Sequence, residues 1–230
     1  MPRYDAILPP LLNGPFTVTC EGRSPDQLHK ALQLFARASA SHLLAPSASL
    51  TLDASPTEGR FPVLHAHELP SDLWAIVVNI LYFDGKATGT LCLQGEGVEA
   101  RIPLEPTPFD YPLPEPLLAC DLSSLLDRMD SFMLRFEFGD SQSPEQRDAV
   151  CDALEAWAAL VDAHGFPMSA SITYGSAIAG PDARFEDPAT ACLGAEGIAA
   201  NPNCFGLLIH LANHLHAQAG LEQMTLECTG

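Results

Sequence analysis

Apolar positions recur at helical spacing behind two nearly identical headers. Behind Ser24-Pro25-Asp26-Gln27 come Leu28, Ala31, Leu32 and Phe35. Behind Ser143-Pro144-Glu145-Gln146 come Val150, Ala153, Leu154, Trp157, Leu160 and Val161. Recurrence every three or four residues predicts an amphipathic helix in each place. The headers predict where those helices start. Serine at the cap accepts from a free backbone N–H, proline suits the first helical position, and glutamine completes a reciprocal capping box. Asp26 and Glu145 also suit the positive helix end. Gly165 predicts the stop of the second helix.

The flanking patterns match as well. An alternating, strand-like run precedes each helix, in "LLNGPFTVTCEG" and "LLDRMDSFMLRFEFGD". The runs "ASLTLDAS" from Ala48 and "ASITYGSA" from Ala170 follow them and again read as strands. A second helix is expected in each half. Leu73, Ile76, Val77 and Ile80 form its face in the first, ended by Gly85. Leu208, Leu211, Ala212 and Leu215 form it in the second, ended by Gly220. Closing strands follow at "TLCL" (Thr90) and "TLEC" (Thr225), and "VEARIPL" adds one strand across a turn at Gly95-Glu96-Gly97.

The expected fold is α+β: two tandem copies of a β-α-β-α-β unit, produced by internal duplication and related by a pseudo-two-fold axis. The first unit is residues 1–104 and the second is 117–230, with an insertion near 176–203. Residues 105–116, "EPTPFDYPLPEP", form a proline-rich linker, extended because proline fixes φ and removes donors. Phe109 and Tyr111 are expected to pack that linker across the two units.

Composition narrows the function classes. A length of 230 residues and an apolar fraction of 47% suit a folded chain with a substantial core. Lys30 and Lys86 are the only lysines, and net charge is −18. That excess argues against nucleic acid, whose phosphates call for clustered Lys and Arg. It favours solubility and a protein partner with a basic surface. The seven cysteines are odd in number and form no CxxC, which suits reduced thiols in a cytoplasmic protein. The N-terminal stretch lacks signal-peptide order, and "LWAIVVNILYF" is too short to span a bilayer. No membrane association is expected.

Candidate chemistry is sparse. His210 and His214 share a helix face at the i, i+4 spacing that chelates a metal, and that face is expected to point away from Leu208–Leu215, toward solvent or a partner. They lack the glutamate of HExxH, and a site would need another ligand, for which His65 and His67 are candidates. Ser176 follows a predicted strand but does not sit in GxSxG, so it reads as a turn residue. Cys20 lies at a strand end near a helix N-terminus, a place that lowers a thiol pKa, but it reads better as a buried structural cysteine. Phosphate-binding glycine loops do not occur in the sequence, and no cofactor is implied.

Asp148, Asp152, Glu155 and Asp162 recur on the polar side of the second capped helix and form a candidate partner-binding face. The reading these features favour is a non-enzymatic acidic protein-binding factor, an inhibitor or immunity-type protein that masks a basic partner. Its rivals are a small metal-assisted hydrolase using His210 and His214, and a structural or assembly protein.

Overall fold

A computed structural model describes residues 8–53, 61–85, 88–111, 114–122, 128–129, 131–168 and 174–228. The protein is a mixed α+β structure. The N-terminal half runs β1 (Leu11–Glu21), α1 (Pro25–Ala40), β2 (Ser49–Leu52), β3 (Val63–Pro70), α2 (Trp74–Gly85), β4 (Thr90–Gly95) and β5 (Val98–Pro103). These strands form an antiparallel sheet in the order β2-β3-β1-β4-β5.

The remainder runs β6 (Ala119–Asp121), β7 (Arg128–Met129), β8 (Phe132–Phe138), α3 (Pro144–Asp162), β9 (Ala177–Ala179), β10 (Asp182–Asp187), β11 (Thr190–Ala195), β12 (Gly197–Ala199), α4 (Phe205–Ala219) and β13 (Leu221–Cys228). Its main sheet has the order β10-β11-β8-β13-β6, with β6 parallel to β13. A small third sheet joins β7, β12 and β9. Four positions correspond between the two larger sheets: β2 with β10, β3 with β11, β1 with β8, and β4 with β13. The fifth strand differs. β5 returns from β4 by a hairpin, whereas β6 comes from the segment ahead of β8.

Two expectations are corrected here. Each half holds more strands than a β-α-β-α-β unit. The strand β3 went unread because a bulge breaks its alternation: the register shifts between Leu12 and Gly14, and Glu68 adopts φ 47°. Residues 176–203, expected as an insertion, carry β10 and β11, which are integral to the second main sheet. The strand expected from Ala170 falls largely on 169–173, outside the described residues.

Burial explains the layering. The strands β1 and β8 alternate between buried and more exposed residues, so each main sheet buries one face. The helix α2 is buried at every position from Trp74 to Leu81, and α4 at every position from Phe205 to Ala212. Helices covered all round lie inside a structure. The helices α1 and α3 pack on each other and keep one exposed stripe each. One continuous core runs through both halves.

Trp157 is fully buried on α3, packed against Phe205 and Phe132, and donates from Nε1 to the Cys204 carbonyl at 2.9 Å. Asn79 of α2 stitches three segments together. Its Nδ2 donates to the carbonyls of Thr107 (2.9 Å) and Gly165 (3.1 Å), and its Oδ1 accepts from Thr107 N. Phe109 is buried and its carbonyl accepts from Asn201 Nδ2, so the segment between β5 and β6 is packed onto both halves. Among the described residues, no helix is long and apolar enough to cross a membrane.

Candidate functional site: two clefts at the helix ends

Both capped helices are built as their sequences predict. Ser24 Oγ accepts from Gln27 N, and Gln27 Oε1 accepts from Ser24 N. Ser143 and Gln146 repeat the arrangement. The residue before each cap reaches the end of the other helix in its half. Arg23 Nε donates to the Leu81 carbonyl of α2 at 2.6 Å, and Gln142 Nε2 donates to the Ala219 carbonyl of α4 at 3.1 Å.

The opposite ends of α1 and α3 match too. Each closes on a histidine in the left-handed region, His42 at φ 56° and His164 at φ 69°. His42 N bonds the Ser39 carbonyl and Leu43 N the Ala38 carbonyl. His164 N and Gly165 N bond Val161 and Leu160 in the same way. Glycine is the usual occupant of this position, because a Cβ is disfavoured there.

Each histidine lines a cleft. The first, about 470 Å³, lies among α1, α2 and the end of α3. The second, about 430 Å³, lies among α3, α4 and the end of α1. Their linings correspond. Gln27, Ala31 and Leu34 of the first take the places of Gln146, Val150 and Ala153 in the second. Counted from the helix starts at Trp74 and Phe205, each behind a short 3-10 turn, Ile80 and Phe83 correspond to Leu211 and His214, a register four residues from the one that the glycine stops Gly85 and Gly220 suggest; His164 corresponds to His42.

The chemistry differs between the clefts. In the first, His164 Nδ1 donates to the Ser176 carbonyl at 2.5 Å, which leaves Nε2 as the acceptor nitrogen. A Cβ on Gly175 would sit 2.5 Å from the His164 ring, so glycine is required for that approach. Lys30, Asp84 and Asp162 supply charge around it. In the second cleft, His42 and His214 stack with centroids 3.6 Å apart and planes at 10°. Burial first, and then His42, push His214 below the ordinary imidazole pKa.

The histidine pair read from sequence is split between two roles. His214 faces His42 in the second cleft. His210 is buried rather than turned outward, and its Nε2 shares a 2.9 Å hydrogen bond with the Tyr111 hydroxyl. Burial lowers its pKa to about 4. His65 lies on β3, paired with Asp53 at 3.1 Å. Among the described residues, no three His, Cys, Asp or Glu side chains are grouped to hold a metal.

Ser176 is fully buried. It donates to the Val161 carbonyl at 2.6 Å and accepts from Phe166 N, which fixes the turn after α3. Cys20 is half-buried and matches the structural reading rather than the activated one: burial outweighs Arg23 and raises its thiol pKa to about 11. Cys192 is raised to about 11 by burial and by Glu186, and buried Cys204 is raised as well.

Asp148, Asp152, Glu155 and Asp162 are all exposed on α3. They do not form a uniform stripe. Arg37 of α1 contacts the Glu155 carboxylate and the Asp152 carbonyl, each at 3.4 Å. Asp152 lines the second cleft and Asp162 the first. Neither the paired clefts nor the cross-helix arginine was legible in the sequence. Their one signal was the repeated Ser-Pro-acid-Gln header, which starts α1 and α3 in the same way. Compared with protein-family models and with curated proteins, the chain matches none.

Proposed function

We propose that this protein is a non-enzymatic, acidic binding factor that masks a basic protein partner, in the manner of an inhibitor or immunity protein in the cytoplasm. The observation that supports this most is the exposed α1–α3 face. It presents Asp148, Asp152, Glu155 and Asp162 of α3, with Lys30 of α1 lining the cleft that Asp162 lines and Arg37 of α1 against Glu155 and Asp152. Such a surface steers a basic partner during encounter and selects against acidic ones. The rigid, capped frame of α3 keeps the carboxylates in a fixed array, which limits the ordering cost of binding.

The scaffold reading belongs to the same proposal. The corresponding strand orders, caps, left-handed histidines and cleft linings support a tandem duplication, with units at 1–104 and 117–230 joined by the proline-rich 105–116. A duplicated scaffold offers two related clefts flanking one two-helix surface.

The test begins with a pull-down using the untagged full chain, followed by association kinetics with the purified partner across a salt titration. Asp148→Lys/Asp152→Lys is expected to slow association by about tenfold or more and to flatten its salt dependence, with the unfolding midpoint nearly unchanged. An unchanged rate at every salt concentration overturns the role of this face. Stoichiometric metal in the purified chain, lost in His210→Ala, would replace the reading with a metal-assisted hydrolase.

A further inference from the structure

The clefts correspond in their lining but diverge where two rings meet. In the first, Phe83 and His164 meet edge-on, with centroids 5.7 Å apart and planes at 64°. At the matching place in the second, His42 and His214 lie face to face. That stack joins the left-handed end of α1 to α4, elements far apart in sequence. We infer that the His42–His214 stack is a proton-sensitive clasp, closing the seam between α1 and α4 while the rings are neutral and releasing it when both take up protons.

Two neutral rings in face-to-face contact shield each other's faces from water and meet without net charge. A proton on each ring instead sets two like charges a few ångströms apart, and like charges disfavour one another's charged forms. The surroundings do not cancel this repulsion. Arg37 of α1 lines the same cleft and adds a positive charge. The α3 carboxylates nearby are Asp152, which lines the cleft, and Glu155, which is engaged by Arg37 at 3.4 Å. His210, one turn earlier on α4, bonds to Tyr111, and burial lowers its pKa to about 4. With both rings protonated, Arg37, His42 and His214 outweigh Asp152 and Glu155. The first cleft carries phenylalanine opposite its histidine and lacks the second titrating ring.

That contrast supplies the test. His214→Phe copies the His–Phe pairing of the first cleft, and His42→Asn removes the other ring while keeping a residue that tolerates the left-handed region. Amide hydrogen exchange, corrected for its intrinsic pH dependence, would be followed on the full chain from about pH 8 to about pH 5. In the wild type, the amides of 41–44 and 214–219 are expected to lose protection together by about tenfold or more as pH falls. In both variants the loss between the two ends of the range is expected to be several-fold smaller than in the wild type, leaving only the pH-linked loss that His210 imposes on all three proteins alike. Wild-type protection that persists to the acid end, or a pH-linked loss of equal size in the variants, overturns the clasp. The outcome is independent of any partner, so it stands or falls separately from the binding proposal.

Discussion

His210 shows how a single side chain couples burial to pH. Its ring is 6% exposed and bonded to Tyr111, and burial lowers its pKa from 6.5 to about 4. The unfolded chain therefore takes up this proton first. Stability is intact above about pH 6.5 and falls as pH drops toward 4, with a loss of about 3 kcal/mol by the lower limit. His210→Gln keeps a polar group opposite the Tyr111 hydroxyl and removes the titration. Urea unfolding at about pH 7 and about pH 4.5 should show the wild type losing about 2–3 kcal/mol more than the variant across that interval. Equal losses would show that this histidine is protonated in the folded protein. The helical spacing of His210 and His214 was plain in the sequence, but their surroundings were not. A helical wheel sorts residues by one apolar stripe, whereas α4 is covered on several sides, including by the Phe109–Tyr111 segment.

At the level of elements, the clearest reading was the pair of helix starts. Both capping boxes form because serine, proline and glutamine act locally, through the backbone groups of a single turn. Ser143→Ala removes the side-chain acceptor for Gln146 N and is expected to cost about 1 kcal/mol, read as a lower urea midpoint at unchanged m-value. An unchanged midpoint would mean that water replaces the cap without loss. The helix α2 was also legible, from its face of Leu73, Ile76, Val77 and Ile80 and its stop at Gly85. Strands were harder to read. The bulge opposite Asn13 disrupts the alternation of β3, with Glu68 N donating to Asn13 Oδ1 at 2.8 Å. In β10, Asp182, Arg184 and Glu186 lie on an edge, where ion pairs with Arg135 and within the strand take the place of an apolar signal. Edge strands are specified by their neighbours in space, which no local pattern records.

For the whole molecule, the decisive feature is that the halves share one core rather than touching across a solvated boundary. The helices α1 and α3 pack together, Asn79 of α2 bonds the Gly165 carbonyl at 3.1 Å, and a Cβ on Gly165 would lie 3.0 Å from Ile76 Cγ2. Removing one half would expose the apolar sides of α1 and α2, or of α3 and α4, at a cost that scales with the area uncovered. The halves should therefore unfold together. The two tryptophans report this directly, since Trp74 lies on α2 and Trp157 on α3 and both are fully buried. Trp157→Phe leaves Trp74 as the sole indole, and Trp74→Phe leaves Trp157. In each variant, urea unfolding followed by tryptophan fluorescence should coincide with the far-ultraviolet circular dichroism transition of the same protein, as expected for a two-state change. Trp157→Phe is expected to be the less stable of the two through loss of the bond to the Cys204 carbonyl. Coincidence within each variant tests the shared core whatever the shift in midpoint. A fluorescence transition that covers only part of the dichroism change, at a different midpoint in each variant, would show instead that the halves fold as independent units.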